Sequence, residues 1–178
     1  MSRRCEGPLF RFTILSVLFA LLSACTLQPN VASVSPGGKL GGKAAEVRGR
    51  ALDGSPLTVD FRAQKTVLIF WASWCGPCRH EQPGLTRMAT DLAQKGVRFI
   101  GVDFLDHDKA AASAFVAEFR VPYPSLYDDS GATAASYEVD APPGKVLVDG
   151  RGIIVGRVPG EVSEDKLERL IQATLLSS

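Results

Sequence analysis

The chain of 178 residues is long enough for one ordinary domain with an appendage and too short for two comfortable ones. Its composition, 46% hydrophobic and 22% charged, is globular, and 20 basic against 19 acidic residues leave no field that would attract nucleic acid. The 4 cysteines, Cys5, Cys25, Cys75 and Cys78, lack the even spread of a disulfide-stapled scaffold, which a core of this size does not need.

The opening MSRRCEGPLFR supplies Arg3, Arg4 and Arg11, and FTILSVLFALL follows as an apolar run of 11 residues. A basic stretch and then a short apolar one has the form of a secretory signal, and the run falls short of the roughly 18 to 20 residues that a membrane-spanning helix requires. It ends in Leu22-Ser23-Ala24-Cys25, which resembles the bacterial lipobox. That resemblance implies that residues 1–24 are removed, Cys5 with them, and that Cys25 becomes a multiply acylated N-terminus, anchored on a membrane rather than in it. The rest of the chain then faces an extracytoplasmic space and stays close to electrical neutrality, since Arg3, Arg4, Arg11 and Glu6 all leave. From Cys25 to Ala45 the chain is rich in Gly, Ser, Ala and Pro without apolar periodicity, the composition of a flexible tether. The folded domain is expected over residues 46–178.

Within it, VRGRALDGSPLTVDF alternates about Asp53-Gly54 as a hairpin does. TVLIFWA is a continuous apolar, β-branched run, the mark of a strand buried on both faces. Residues 76–94 carry Leu85, Met88, Ala89 and Leu92 at helical spacing and stop at Gly96. VRFIGVDF is a second buried strand, Asp108 to Phe119 a helix, YPSLYDD a short strand and GATAASYEV a short helix. KVLVDGRGIIVGRV forms two strands about a tight turn, and SEDKLERLIQATLL closes the chain as an amphipathic helix with acids in its first turn. The fold class is α/β: a mixed central sheet flanked by helices.

FWASWCGPCRHEQP sets Cys75 and Cys78 where a buried strand gives way to a helix. Helix geometry puts Cα atoms three residues apart at about 5 Å, inside the roughly 4.4 to 6.8 Å that a disulfide requires. Cys75, at the positive end of the helix, is favoured as an exposed thiolate, whereas Cys78, one turn in, is the poorer nucleophile. This suits thiol–disulfide exchange, with Cys75 attacking and Cys78 resolving the mixed disulfide. Pro77 fits the first helical turn, where its missing N–H is no loss, and Gly76 completes the connecting loop. A purely structural bridge would close too small a loop to stabilise much. A zinc site would need two further ligands from His80 and His107, of which His80 reads as a solvated helix residue and His107 opens a helix. A Cu(I) chaperone built on the two thiolates remains a competing reading, as does a peroxidase of the same fold.

FWASWCGPC, Pro83 after the second cysteine and a later proline before an apolar strand resemble the thioredoxin superfamily over about Val47 to Leu176. The anchored N-terminus, the extra segment before that later proline and Glu81 resemble its extracytoplasmic TlpA/ResA/DsbE branch. The resemblance implies a thioredoxin-like fold with an N-terminal β-hairpin, a central insertion and a cis-proline loop, to which Pro143 is assigned because Val146-Leu147-Val148 then forms the following strand, with Pro142 as the alternative register. In the family the residue before that proline offers its backbone to an extended substrate; Pro142, which stands there, has no N–H to give. Ile69 occupies the place where thioredoxins themselves carry a buried aspartate, and Glu81 matches the acid of the ResA-like proteins that serves proton exchange. Trp74 is expected at the substrate surface with Gly76, Pro77 and Pro142, and Trp71 in the core.

The sequence therefore predicts a thiol-disulfide oxidoreductase with no dissociable cofactor and no bound metal. It is expected to be monomeric, acting on protein thiols or disulfides and coupled to a membrane redox partner. The direction of electron flow stays open between a reductant, as in cytochrome c maturation, and an oxidant of secreted proteins.

Overall fold

A computed structural model describes residues 40–177. The signal, Cys5 and Cys25 lie outside the described residues. Two short strands, β1 (Arg48–Arg50) and β2 (Pro56–Thr58), pair antiparallel about the expected turn. Gly54 has a φ of +88° there, and the Asp53 carboxylate accepts the Ser55 N–H at 2.8 Å.

The remaining strands are β3 (Lys65–Trp71), β4 (Val97–Phe104), β5 (Ser125–Asp128), β6 (Gly144–Val148) and β7 (Ile154–Pro159), ordered β5-β4-β3-β6-β7 in one sheet. β3 runs parallel to β4 and antiparallel to β6, which makes the sheet mixed as expected. Its central place explains its sequence. Val67, Ile69 and Trp71 enter one core with Leu85, Met88 and Leu92 of α1 (Gly76–Ala93), Phe115 of α2 (Lys109–Glu118) and Leu167 of α4 (Glu164–Ile171). Leu68 and Phe70 enter a second with Val102, Phe104, Val146 and Tyr137, the residue after α3 (Ala132–Ser136). With both faces covered, the run from Val67 to Trp71 is apolar throughout.

Three features depart from expectation. Residues Gly41 to Ala45 do not belong to a free tether: Gly41 N–H donates to Ile154 O at 2.9 Å, Ala44 N–H to Gly152 O at 2.9 Å, and Tyr137 Oη to Ala45 O at 2.6 Å. The glycines that read as flexibility let the backbone lie against β7 and the turn before it. The last helix is not uniform, because α4 passes into a π-helical stretch, Gln172–Leu176, that still buries Leu175 behind Ile171. The helix expected from Asp108 begins one residue later, with the Asp108 carboxylate accepting the N–H groups of Ala110 and Ala111 as its N-cap.

Candidate active site

The strand register assembles the site. β3 ends at Trp71, and after three residues Cys75 becomes the N-cap of α1, its Sγ accepting the Cys78 N–H at 3.1 Å. The antiparallel neighbour β6 begins at Gly144 opposite Phe70, so the residues just before it, Pro142 and Pro143, lie at the end of the sheet from which α1 starts. The peptide bond between these two prolines is cis.

Cys75 and Cys78 are joined as a disulfide with Cα atoms 5.2 Å apart. The expectation that Cys75 is exposed is corrected: in this oxidised state the residue is 3% exposed and Cys78 2%, and both pack into the core beneath α1. What distinguishes the two cysteines here is position on the helix, not burial. Trp74 is the exposed member of the motif, at 60%, while Trp71 is buried and stacks on Phe115 at 4.4 Å. The Trp74 indole N–H donates to Leu105 O at 2.8 Å, and the Ser73 N–H to the buried Asp106 carboxylate at 2.6 Å, so the β4–α2 loop braces the approach to Cys75. Leu105 holds a φ of +55°, unfavourable for a branched side chain, and is itself 41% exposed. Gly76 and Pro77 are exposed on the first turn of α1, Pro142 is half-buried and Pro143 buried.

Glu81 is not a solvated helix charge. Its side chain is 5% exposed and lies 2.5 Å from Nζ of Lys145, whose side chain is wholly enclosed. The Val162 N–H also donates to it, at 3.3 Å. Burial pushes the Glu81 carboxyl above its ordinary range while Lys145 pulls it down; the same burial lowers the Lys145 ammonium while Glu81 raises it. Sequence reading missed Lys145, whose only signal was a lysine inside an otherwise apolar strand run.

A second acid was missed. Asp103, opposite Trp71 on β4, is fully buried, and neither of its carboxyl oxygens has a hydrogen-bond partner among the described residues. Burial, then the charge of Asp106, push it up to about 8, so it is largely protonated at neutral pH. The histidines stand apart from the cysteines' chemistry. His80 is exposed and paired with Glu161, and His107 is exposed ahead of α2.

The AhpC/TSA family model matches residues 40–157, which include the disulfide, the Glu81–Lys145 pair and the cis-proline loop. The chain belongs to the AhpC/TSA family. The chain is 35% identical over 153 residues to the thiol:disulfide interchange protein HelX of Rhodobacter capsulatus, covering 84% of each chain. It is 28% identical over 165 residues to the thiol-disulfide oxidoreductase ResA of Bacillus cereus, covering 92% of this chain and 94% of that one. Among solved structures it is similar to a secreted disulfide oxidoreductase of Mycobacterium tuberculosis homologous to DsbE of E. coli, with a TM-score of 0.65, 27% identity and coverage of 71% of this chain and 95% of that one. This member of the AhpC/TSA family is a thiol-disulfide oxidoreductase of thioredoxin type.

Proposed function

We propose that this oxidoreductase is extracytoplasmic, is tethered to a membrane through lipidated Cys25, and reduces protein disulfides. The observation that carries the reading is Cys75 at the N-cap of α1 with the buried Glu81–Lys145 pair one turn beyond Cys78; in this reading Glu81 is the internal proton acceptor. The Cys75 thiolate attacks one sulfur of a substrate disulfide, and the other sulfur leaves as a thiolate that takes up a proton. Cys78 gives its proton to Glu81, and its sulfur attacks Cys75. The second substrate sulfur is freed, and two electrons have passed from the pair to the substrate. A membrane redox partner restores the dithiol, and no dissociable cofactor enters the cycle.

The signal-like run and Leu22-Ser23-Ala24-Cys25 support export and anchoring, and the similarity to a secreted oxidoreductase supports export. Among the described residues no helix is long and apolar enough to cross a membrane. The resemblance to the DsbE branch points to cysteines that must be reduced before haem attachment in cytochrome c maturation.

The test is the reduction potential of the Cys75–Cys78 pair in the full chain, equilibrated against defined thiol buffers. A value near thioredoxin's, about −270 mV, is expected; one near DsbA's, about −120 mV, would make the protein an oxidant instead. Absence of a reversible two-electron couple, together with tight stoichiometric Cu(I) binding, would replace the exchange mechanism with a metal chaperone.

A further inference from the structure

Lys145 lies two residues beyond Pro143 on β6 and opposite Ile69 of β3. Its Nζ donates to the Glu81 carboxylate at 2.5 Å and to Gly160 O at 3.0 Å. Gly160 in turn donates its N–H to Pro143 O at 2.8 Å. One chain of hydrogen bonds thus runs from Glu81 through Lys145 and Gly160 to the cis-proline loop. On α1, residues three apart stand with Cβ atoms about 5–6 Å from one another, which places the Glu81 stem beside Cys78.

A buried ammonium needs its anion, and a buried carboxylate its cation. With Lys145 enclosed on one side, Glu81 has one place to stay. Its other side borders an open cleft of about 470 Å³ between α1 and the start of α4. The other ionisable side chains lining this cleft are His80 and Arg87 from α1, Glu161 from the segment after β7 and Glu164 at the start of α4. They are paired, His80 with Glu161 and Arg87 with Glu164, which leaves Lys145 as the cation bonded to Glu81. The carboxylate therefore has a protein cation behind it and a water-sized passage in front.

We propose that Lys145 is the positioning residue of the exchange reaction, holding Glu81 as a carboxylate one turn from Cys78 so that the Cys78 proton passes to Glu81 and on to water in the cleft. The assignment rests on reading Glu81 as the proton acceptor of Cys78. Removing the ammonium leaves burial and the Glu161 charge opposed only by the Val162 N–H, so the Glu81 carboxyl holds its own proton more tightly and becomes a poorer acceptor. Each turnover in the reducing direction moves one proton from Cys78 Sγ to a Glu81 oxygen and then to solvent, while the sulfur bonds to Cys75.

The experiment uses the reduced full-length chain with Cys5 and Cys25 replaced by serine, mixed in stopped flow with 5,5′-dithiobis(2-nitrobenzoate). The first thionitrobenzoate is released when Cys75 attacks, the second when Cys78 resolves the mixed disulfide. Lys145→Met is expected to leave the first phase unchanged, to slow the second by about tenfold or more at pH 7, part of the roughly 100- to 10,000-fold that a general base supplies, and to move its pH midpoint upward. Lys145→Arg restores most of the rate. Glu81→Gln slows the second phase similarly, and Glu81→Gln/Lys145→Met is no slower than Glu81→Gln alone. The double variant buries no unpaired charge, so it keeps the comparison usable if Lys145→Met folds poorly. Equal slowing of both phases by Lys145→Met, or losses that multiply in the double variant, would overturn the role of Lys145. A second phase indifferent to Glu81→Gln would instead remove the reading of Glu81 on which it rests.

Discussion

Ile69 and Lys145 face each other across the β3–β6 ladder, an apolar side chain where the resemblance to thioredoxins would place a carboxylic acid and a buried cation directly opposite. The acid that neutralises this cation comes from the helix instead, as Glu81 of α1. A carboxylate is thus still supplied beneath the cysteines, but from a different element and with its counter-ion on a strand. The charged pair can be exchanged for an uncharged one in the fold, because both groups are desolvated and burial opposes the charge of each. Lys145→Ala leaves Glu81 buried without its cation and is expected to lower stability by about 3 kcal/mol. Glu81→Leu combined with Lys145→Met should stay within about 1 kcal/mol of the parent in urea unfolding, while losing the proton function. A double variant less stable than Lys145→Ala would show that the pair itself holds the fold.

Asp103 makes stability depend on pH in the direction opposite to that of a salt-bridged acid. Its carboxyl is raised from 3.8 to about 8, so the folded state binds the proton more tightly than the unfolded chain. Its contribution is fully favourable below about pH 4 and declines as pH rises towards 8, at up to about 1.4 kcal/mol per pH unit. Asp103→Asn should therefore flatten the profile, gaining on the parent by about 2 kcal/mol or more between pH 5 and pH 9. Urea midpoints at these two values measure the difference, and parallel profiles for the two proteins would show that Asp103 does not titrate there.

The two glycines beside the motif are expected to behave differently. A Cβ at Gly76 meets nothing within 4 Å, so Gly76→Ala should change stability by less than about 0.5 kcal/mol, and any loss of rate belongs to substrate approach. A Cβ at Gly101 would fall 2.1 Å from Ser125 Oγ and 2.9 Å from Trp71 Nε1. The sheet backbone cannot retreat, and Gly101→Ala should cost about 1–3 kcal/mol and disturb the stack of Trp71 on Phe115. Thermal melting with near-ultraviolet dichroism reads both effects, and equal melting temperatures for the two variants would contradict the packing described.

What the sequence made legible follows from how local each signal is. The run from Val67 to Trp71 reads as a buried strand because every one of its residues is covered, and Cys75, Cys78 and Pro77 announce themselves through helix-end chemistry that needs no distant partner. The placement of Pro143 came from the strand behind it, and the cis bond does lie at Pro142–Pro143. Lys145 was opaque because its partner Glu81 is 64 residues away, and an isolated lysine in a strand looks like an edge or solvent position. VRFIGVDF reads as a buried strand without singling out Asp103, since nothing local says that its carboxyl is enclosed opposite Trp71 with Asp106 and Asp128 as its charged neighbours. The docking of Gly41 to Ala45 was hidden for a related reason: its bonds are made by the backbone, which composition does not encode.

Pro142 offers the last test, because its chemistry removes something the related proteins are expected to have. A substrate chain lying along the cis-proline loop as an added strand would take a carbonyl from residue 142 and give one of its own to the N–H of that residue. Pro142 supplies the first and cannot supply the second. Pro142→Thr restores the donor and keeps an X-Pro bond ahead of Pro143. A hydrogen bond of about 0.5–1.5 kcal/mol corresponds to a roughly two- to tenfold lower KM for a peptide disulfide. A small disulfide such as 5,5′-dithiobis(2-nitrobenzoate), which has no backbone to pair, should react at the parental rate. The contrast between the two substrates separates lost grip from altered cysteine chemistry: a change in both would assign the effect to the pair itself, and a change in neither would show that substrate does not pair with residue 142.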